Sequence, residues 1–265
     1  MTETGTGQGS VVFDRAAEYY DETRGLTPEA LARTVEVLNP ELAPRGRCLE
    51  IGVGTGRIGL PLYRSGVDMT GLDLSRPMMF KLLQKAEGDV FPLVQGTATQ
   101  LPFRDDAFGA GLIVHVLHLI PQWRSALDEL VRVIRPGGAI VSSIFDEEGQ
   151  APSMWEEMTK QFRKEAGLPE HFPGFRRSGE IDEALASLGA TPRDLERVPE
   201  RRPRTAREIA DLMDAGVFSF TWTLDAAQLH EAGQRLRAWA VDRYGSLDEI
   251  DATEFTIPWR AYDLP

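Results

Sequence analysis

The sequence predicts an α/β protein built around a parallel sheet, on three observations. Segments of strand and helix character alternate through the first half of the chain. A glycine-rich turn follows directly on the first apolar strand. At 265 residues the chain is long enough for one large α/β domain with insertions. Alternation of this kind means βαβ units, and such units build parallel sheets.

The elements follow in order. Thr27-Pro28-Glu29 sets an N-cap with proline at the first helical position; Leu31, Val35 and Leu38 follow at helical spacing, and Asn39-Pro40 is expected to end the helix. Strands are expected near 46–51, 67–73, 90–95, 107–114 and 137–145, with helices near 56–64, 76–87 and 122–135. The helix from Gln122 carries Trp123, Leu127, Leu130, Val131 and Ile134 as one apolar stripe, and Arg135-Pro136-Gly137-Gly138 stops it and turns into the next strand.

Beyond residue 145 the rhythm breaks. Region 147–177 holds Trp155, Phe162, Phe172 and Phe175 among charges and prolines and reads as a partly helical insertion. A helix is expected from Ser178 to Leu188 and a strand-like segment over 191–201. Thr205-Ala206-Arg207-Glu208 is a capping box, and Asp225 caps a longer helix bearing Leu229, Ala232, Leu236, Trp239 and Ala240. The stretch 253–262 alternates like a strand. Most of the aromatics, with Phe218, Phe220 and Trp222, read as the core of the insertions.

The formal net charge of −12 argues against a general nucleic-acid or anionic-membrane surface, because both need clustered positive charge. The arginines from Arg193 to Arg207 are interleaved with Glu196 and Glu200 and read as a solvated strand and loop. The lone cysteine, Cys48, cannot form an internal disulfide and reads as a small buried hydrophobe compatible with a reducing cytoplasm. Residues 1–12 have no basic or apolar stretch and read as a disordered leader before a single domain over 13–265. The longest apolar run, Leu112 to Ile120, is too short to span a bilayer. A soluble, cytoplasmic protein acting on a small molecule, without nucleic acid or a membrane span, is the expectation. His115-x-x-His118 has no cysteine or acidic partner at ligand spacing, so no metal is expected.

The turn Glu50-Ile51-Gly52-Val53-Gly54-Thr55-Gly56 has two registers. Gly54-Thr55-Gly56-Arg57-Ile58-Gly59, with Asp73 19 residues beyond Gly54, satisfies the dinucleotide fingerprint of an NAD(P)-dependent oxidoreductase. The earlier register, Glu50-x-Gly52-x-Gly54-x-Gly56, puts a carboxylate at the head of the glycines, which repels a pyrophosphate and tolerates an amino-bearing or cationic ligand.

In that register the chain resembles the class I S-adenosylmethionine-dependent methyltransferases, most closely the ubiquinone/menaquinone type, over about residues 13–146. Glu50 to Gly56 looks like the first motif. Gly71-Leu72-Asp73-Leu74-Ser75-x-x-Met78 is similar to the second, Gly96-Thr97-Ala98 to the adenine-edge segment, and Asp105-Asp106-Ala107-Phe108 and Leu130-x-Arg132-Val133-Ile134-Arg135-Pro136-Gly137-Gly138 to the later motifs. The resemblance implies a Rossmann-like doubly wound sheet of seven strands, five parallel and then an antiparallel hairpin from about 191–201 and 253–262, with helical lid insertions near 147–177 and 205–245.

It also implies S-adenosylmethionine as cofactor. Glu50, Gly52, Gly54 and Gly56 would form the turn, Asp73 and Leu74 the ribose end, and Met78, Gly96, Thr97 and Ala98 the adenine site. Phe13 to Asp21 resembles the segment that closes over the cofactor, with Tyr20 and Arg24 meeting the methionine carboxylate. Thr97 departs from the acidic residue common at its position. His118 and His115, at the carboxyl end of the fourth strand, are the candidate general bases, and His115 also a cofactor contact. The expected reaction is methyl transfer to a small, partly apolar acceptor by in-line displacement. A non-catalytic S-adenosylmethionine-binding module is the further alternative.

Overall fold

The computed structural model describes residues 9–143, 152–177, 179–251 and 254–265. The chain divides into two compact units, one of residues 1–146, 173–198 and 257–265, the other of residues 147–172 and 199–256.

The first unit is the α/β domain. Its strands are β1 (Cys48–Ile51), β2 (Met69–Asp73), β3 (Leu93–Gln95), β4 (Phe108–Ile113), β5 (Ile134–Ser143) and β6 (Thr191–Asp194). The later strands are β7 (Val198–Arg201), β8 (Arg204–Thr205), β9 (Ile250–Asp251), β10 (Glu254–Ile257) and β11 (Trp259–Asp263). Seven of them form one sheet in the order β3-β2-β1-β4-β5-β11-β6. The pairings among β1 to β5 are parallel, while β11 runs antiparallel to both β5 and β6. The expected parallel sheet and antiparallel closing pair are therefore both present. Cys48 packs in one core cluster and Leu49 and Ile51 in another, so alternate residues of β1 bury opposite faces of the sheet. Cys48 itself is fully buried.

Helices α1 (Tyr20–Arg24), α2 (Pro28–Leu42), α3 (Gly59–Arg64), α4 (Arg76–Ala86), α5 (Trp123–Val133) and α7 (Gly179–Ser187) belong to this unit. Thr27 caps α2, its Oγ1 accepting the Ala30 N–H at 3.2 Å. The helix does not stop at Asn39 but runs through Pro40 to Leu42. Pro40 forfeits only one late-turn hydrogen bond, and continuing keeps Leu42 fully buried, which contributes about 1.5–3 kcal/mol. Helix α3 starts at Gly59 rather than 56, because Gly56 turns back to donate its N–H to the Val53 carbonyl.

Two expected strands are each divided. Region 191–201 separates into β6 and β7, with Glu196 between them turned out to meet the Arg33 guanidinium. Region 253–262 separates into β10 and β11 at Pro258, which has no N–H to give the ladder. Residues 1–8, 144–151, 178, 252 and 253, which include parts of the expected leader, fifth strand, insertion, helix and final strand, lie outside the described residues.

The second unit is mainly helical: α6 (Met154–Glu165), α8 (Ala206–Asp214) and α9 (Ala226–Tyr244) bury Met158, Phe162, Ile209, Met213, Phe218, Leu229 and Leu236 against one another. Phe162 and Phe218 are thus core residues as expected, whereas Phe175 packs in the core of the α/β domain. Capping boxes at Ser153, Thr205 and Asp225 start these three helices. Asp225→Ala removes the acceptor of the Gln228 N–H, and a loss of about 1 kcal/mol is expected in the urea unfolding of this unit.

Three arginines of the arginine-rich stretch are paired with carboxylates. Arg193 meets Glu41 and Asp263, Arg202 meets Glu200, and Arg207 meets Asp248.

Candidate functional site

The strand order reverses its direction of growth between β1 and β4, and a doubly wound sheet opens its crevice there, beyond the carboxyl ends of the strands. The turn after β1 enters that crevice with φ of +70° at Gly52 and +54° at Gly54. A Cβ on Gly52 would lie 2.6 Å from Val116 Cγ2, and one on Gly54 would lie 3.2 Å from Met78 Cε. Both positions therefore require glycine for conformation and for space.

Asp73, the last residue of β2, ties the turn to the next helix. Its Oδ2 accepts the Gly54 N–H at 2.8 Å and its Oδ1 accepts the Ser75 N–H at 2.8 Å. Each oxygen keeps a second lone pair. Burial pushes this carboxyl above its ordinary pKa, and the two N–H groups oppose that shift.

The resulting cleft has an empty volume, mouth included, of about 690 Å³. Of the residues proposed from sequence, Tyr20, Gly52, Gly54, Asp73, Leu74, Met78, Gly96, Thr97, Ala98 and His115 line it. Phe13, from the segment expected to close over the cofactor, and Leu72, from the second motif, line it too, and its walls also include residues that sequence reasoning missed: Ser10, Val11, Val12, Val114, Val116, Leu119 and Ile120. The last of these come from the apolar run after β4, whose only local signal was its hydrophobicity.

His115 has φ of +50°, a left-handed conformation uncommon outside glycine. Holding it there costs on the order of 1–3 kcal/mol. Burial first, then the positive charge of Arg57, keeps the imidazole well below its usual pKa and therefore neutral.

Four of the sequence-proposed residues do not line the cleft. Glu50 is 2% exposed and does not face the cleft; its Oε2 has no hydrogen-bond partner among the described residues, and burial pushes its pKa up to about 8. A Cβ on Gly56 would point into Leu82 of α4 at 2.6 Å. His118 sits in the turn Leu117–Leu119, edge-on to Phe175 at a centroid distance of 6.4 Å. The carbonyl of Arg24 accepts a bond from Arg57 Nη1 at 2.6 Å.

The N-terminal segment crosses the cleft and is fastened along its length. Val11 N–H donates to the Leu119 carbonyl, Ser75 Oγ donates to Asp14 at 2.6 Å, and Lys81 meets Glu18 at 2.5 Å. Asp21 accepts from Thr55 Oγ1 at 2.5 Å and from Lys85 Nζ at 2.7 Å. Thr55 belongs to the glycine turn, so Asp21 joins strap and turn directly. Asp21→Asn is expected to weaken S-adenosylhomocysteine binding by about 3- to 10-fold in calorimetry, in line with about 1 kcal/mol for one such bond.

These features fit a nucleoside bearing a small zwitterion. Asp73 offers free lone pairs to a diol, Met78, Leu74 and Ala98 offer an apolar slot for a base, and the glycine turn leaves the room that a Cβ would fill. The comparisons with known proteins agree. Residues 49–142 match the methyltransferase domain family. The chain is 32% identical over 180 residues to the uncharacterized protein MJ1123 of Methanocaldococcus jannaschii, covering 67% of this chain and 80% of that one. It is 33% identical over 144 residues to the demethylmenaquinone methyltransferase of Streptomyces avermitilis, covering 53% of this chain and 62% of the enzyme, under two thirds of its length. An S-adenosylmethionine-dependent methyltransferase of Thermotoga maritima superposes with a TM-score of 0.55 at 19% identity, over 95% of this chain and 97% of that one.

Fold and family match together define an α/β protein of the methyltransferase type. The chain belongs to the class I S-adenosylmethionine-dependent methyltransferases, and S-adenosylmethionine is its cofactor. Among the described residues no helix is long and apolar enough to cross a membrane.

Proposed function

We propose that the protein transfers a methyl group from S-adenosylmethionine to a small, partly apolar acceptor in a reducing, cytoplasmic setting, by in-line displacement. The observation that carries this reading is the convergence of Gly52, Gly54, Asp73 and Met78 on one cleft in a chain of this family. The relative named for demethylmenaquinone supports a small-molecule acceptor. S-adenosylmethionine supplies an electrophilic methyl carbon on a sulfonium sulfur.

Within this reading Asp73 holds the ribose hydroxyls, and Leu74, Met78, Gly96, Thr97 and Ala98 bracket the base. The glycine turn, with Glu50 and Gly56 shaping it from behind and Tyr20 and Arg24 beside it, takes the amino acid end. The chain's contribution to rate is alignment and exclusion of water. An amine or thiol acceptor needs little more. A hydroxyl or carbon acceptor needs a base, and His115, neutral and on the cleft wall, takes that proton on a ring nitrogen, with His118 the second candidate.

Incubation with methyl-labelled cofactor and a metabolite extract, followed by mass spectrometry, tests the function. Label in a low-mass product is expected; cofactor binding with no labelled product in any fraction would instead favour a non-catalytic binding module. His115→Asn preserves a side chain that tolerates the left-handed conformation while removing the base. Its turnover is expected to fall about 10²- to 10⁴-fold for a hydroxyl or carbon acceptor, with cofactor affinity retained. A fall below tenfold in the same assay identifies an acceptor that needs no base.

A further inference from the structure

We propose that Glu129 and Arg132 of α5 are positioning residues for the base of the cofactor: by clamping Leu101 and Phe103 they hold the loop 96–101 so that its backbone N–H groups select a purine edge that accepts hydrogen bonds. This role rests on the methyl-transfer reading, in which the base lies beside Gly96, Thr97 and Ala98.

The loop follows β3, the shortest strand of the seven-stranded sheet and one of its two edges, so β2 alone holds that strand in the sheet. At the near end of the loop Gly96 donates its N–H to the Asp73 carbonyl at 3.0 Å. At the far end the clamp takes over. Glu129 Oε2 accepts the Leu101 N–H at 2.7 Å, while Arg132 donates from Nη2 to the Leu101 carbonyl at 3.2 Å and from Nη1 to the Phe103 carbonyl at 2.9 Å. The two side chains also bind each other, Nε and Nη2 of Arg132 reaching the two Glu129 oxygens at 2.7 and 2.8 Å, and Nη1 reaches Asp105 at 2.7 Å. One planar fork thereby holds two carboxylates and two carbonyls at once, which a lysine ammonium cannot do. The Arg132 guanidinium first, and then the Leu101 N–H, keep the Glu129 carboxyl below its ordinary range against the effect of burial.

Held in this way, the loop has few donors to spare. The Thr99 N–H goes to Thr97 Oγ1 at 3.3 Å, the Gln100 N–H to the Thr97 carbonyl at 3.3 Å and the Leu101 N–H to Glu129. The N–H groups of Thr97 and Ala98 make no hydrogen bond among the described residues, and both residues line the cleft. Backbone donors of this kind call for an acceptor. Adenine presents a lone pair at N1, whereas hypoxanthine carries N1–H and would set donor against donor. The Thr97 hydroxyl, 2.8 Å from Thr99 Oγ1, both donates and accepts, so it does not decide between the two bases.

The test is calorimetry with S-adenosylhomocysteine and S-inosylhomocysteine, which differ only at that edge of the base. Wild type is expected to prefer the adenine compound by about tenfold or more, since the mismatch loses one bond and leaves buried donors unsatisfied. Arg132→Met keeps the stem and removes the fork; it is expected to bind the adenine compound about tenfold more weakly and the inosine compound less than about threefold more weakly, so that the preference collapses. Asp21→Asn, which acts at the strap and the glycine turn, is expected to weaken both compounds alike. Equal losses for both compounds in Arg132→Met, or no loss, would overturn the proposal, as would a wild type that binds both equally. Thermal unfolding checks the variants, and if Arg132→Met does not fold, Glu129→Gln decides alone by narrowing the preference about threefold or leaving it unmoved. Wild type that binds neither compound fails the cofactor reading; wild type that binds the adenine compound with a preference the variants leave unmoved fails the clamp.

Discussion

Asp73→Ala is expected to weaken S-adenosylhomocysteine binding by about two orders of magnitude or more while leaving the protein folded. The carboxylate accepts the Gly54 N–H on one oxygen and the Ser75 N–H on the other, so it holds the glycine turn and the start of α4 in register across the cleft. Hydrogen bonds to a charged group contribute about 1.5–3 kcal/mol each, and loss of the ribose contacts proposed for Asp73 adds to the loss of preorganisation. Two such bonds account for at least a hundredfold in dissociation constant. Asp73→Asn keeps one acceptor oxygen and is expected to fall between the two. Calorimetry on both variants checks the order; an alanine variant that binds as tightly as wild type would remove Asp73 from the cofactor site.

The second large effect concerns stability against pH. Glu50 is buried, its ordinary pKa of 4.5 is raised to about 8, and burial is the main cause, with the charge of Arg57 acting in the opposite direction. The folded state therefore favours the protonated form. The stability this preference contributes is complete below pH 4.5, declines as pH rises toward 8, and is gone above it. At about 1.36 kcal/mol per pH unit the decline amounts to on the order of 5 kcal/mol. Glu50→Gln keeps the shape without the charge, so it is expected to match wild type within about 1 kcal/mol at pH 5 and to exceed it by several kcal/mol at pH 8.5, read from urea midpoints. Equal pH slopes in the two proteins would show that Glu50 ionises in the fold without penalty.

Both effects belong to the part of the molecule most legible in the sequence. Glu50, the glycines and Asp73 lie within one βαβ unit, with Met78 on the helix that follows it, and there order along the chain and position in space are coupled by the right-handed crossover. The parallel sheet was readable for the same reason. Long-range pairings were not. Nothing local in Asp14, Glu18 or Asp21 announces that they meet Ser75, Lys81 and Thr55, because those contacts exist only after the sheet has formed.

Backbone strain was hidden as well. His115 drew attention as a histidine after a strand, but its left-handed φ is imposed by the packing around it rather than by its own preference. Pro40 misled in the opposite direction, since burial of Leu42 outweighed a local stop signal. The aromatic content of the helical segments correctly indicated a core, yet the buried guanidinium of Arg163, which makes no ion pair among the described residues, could not be told from a surface arginine by pattern alone.

The most direct measurement is calorimetric titration of the purified full-length chain with S-adenosylhomocysteine and, separately, with NADH. Saturable one-to-one binding of S-adenosylhomocysteine, lost or greatly weakened in Asp73→Ala, with no binding of NADH, is the expected result. Binding of NADH by a well-folded protein that ignores S-adenosylhomocysteine would contradict the assignment of this cleft and return the glycine turn to its dinucleotide register.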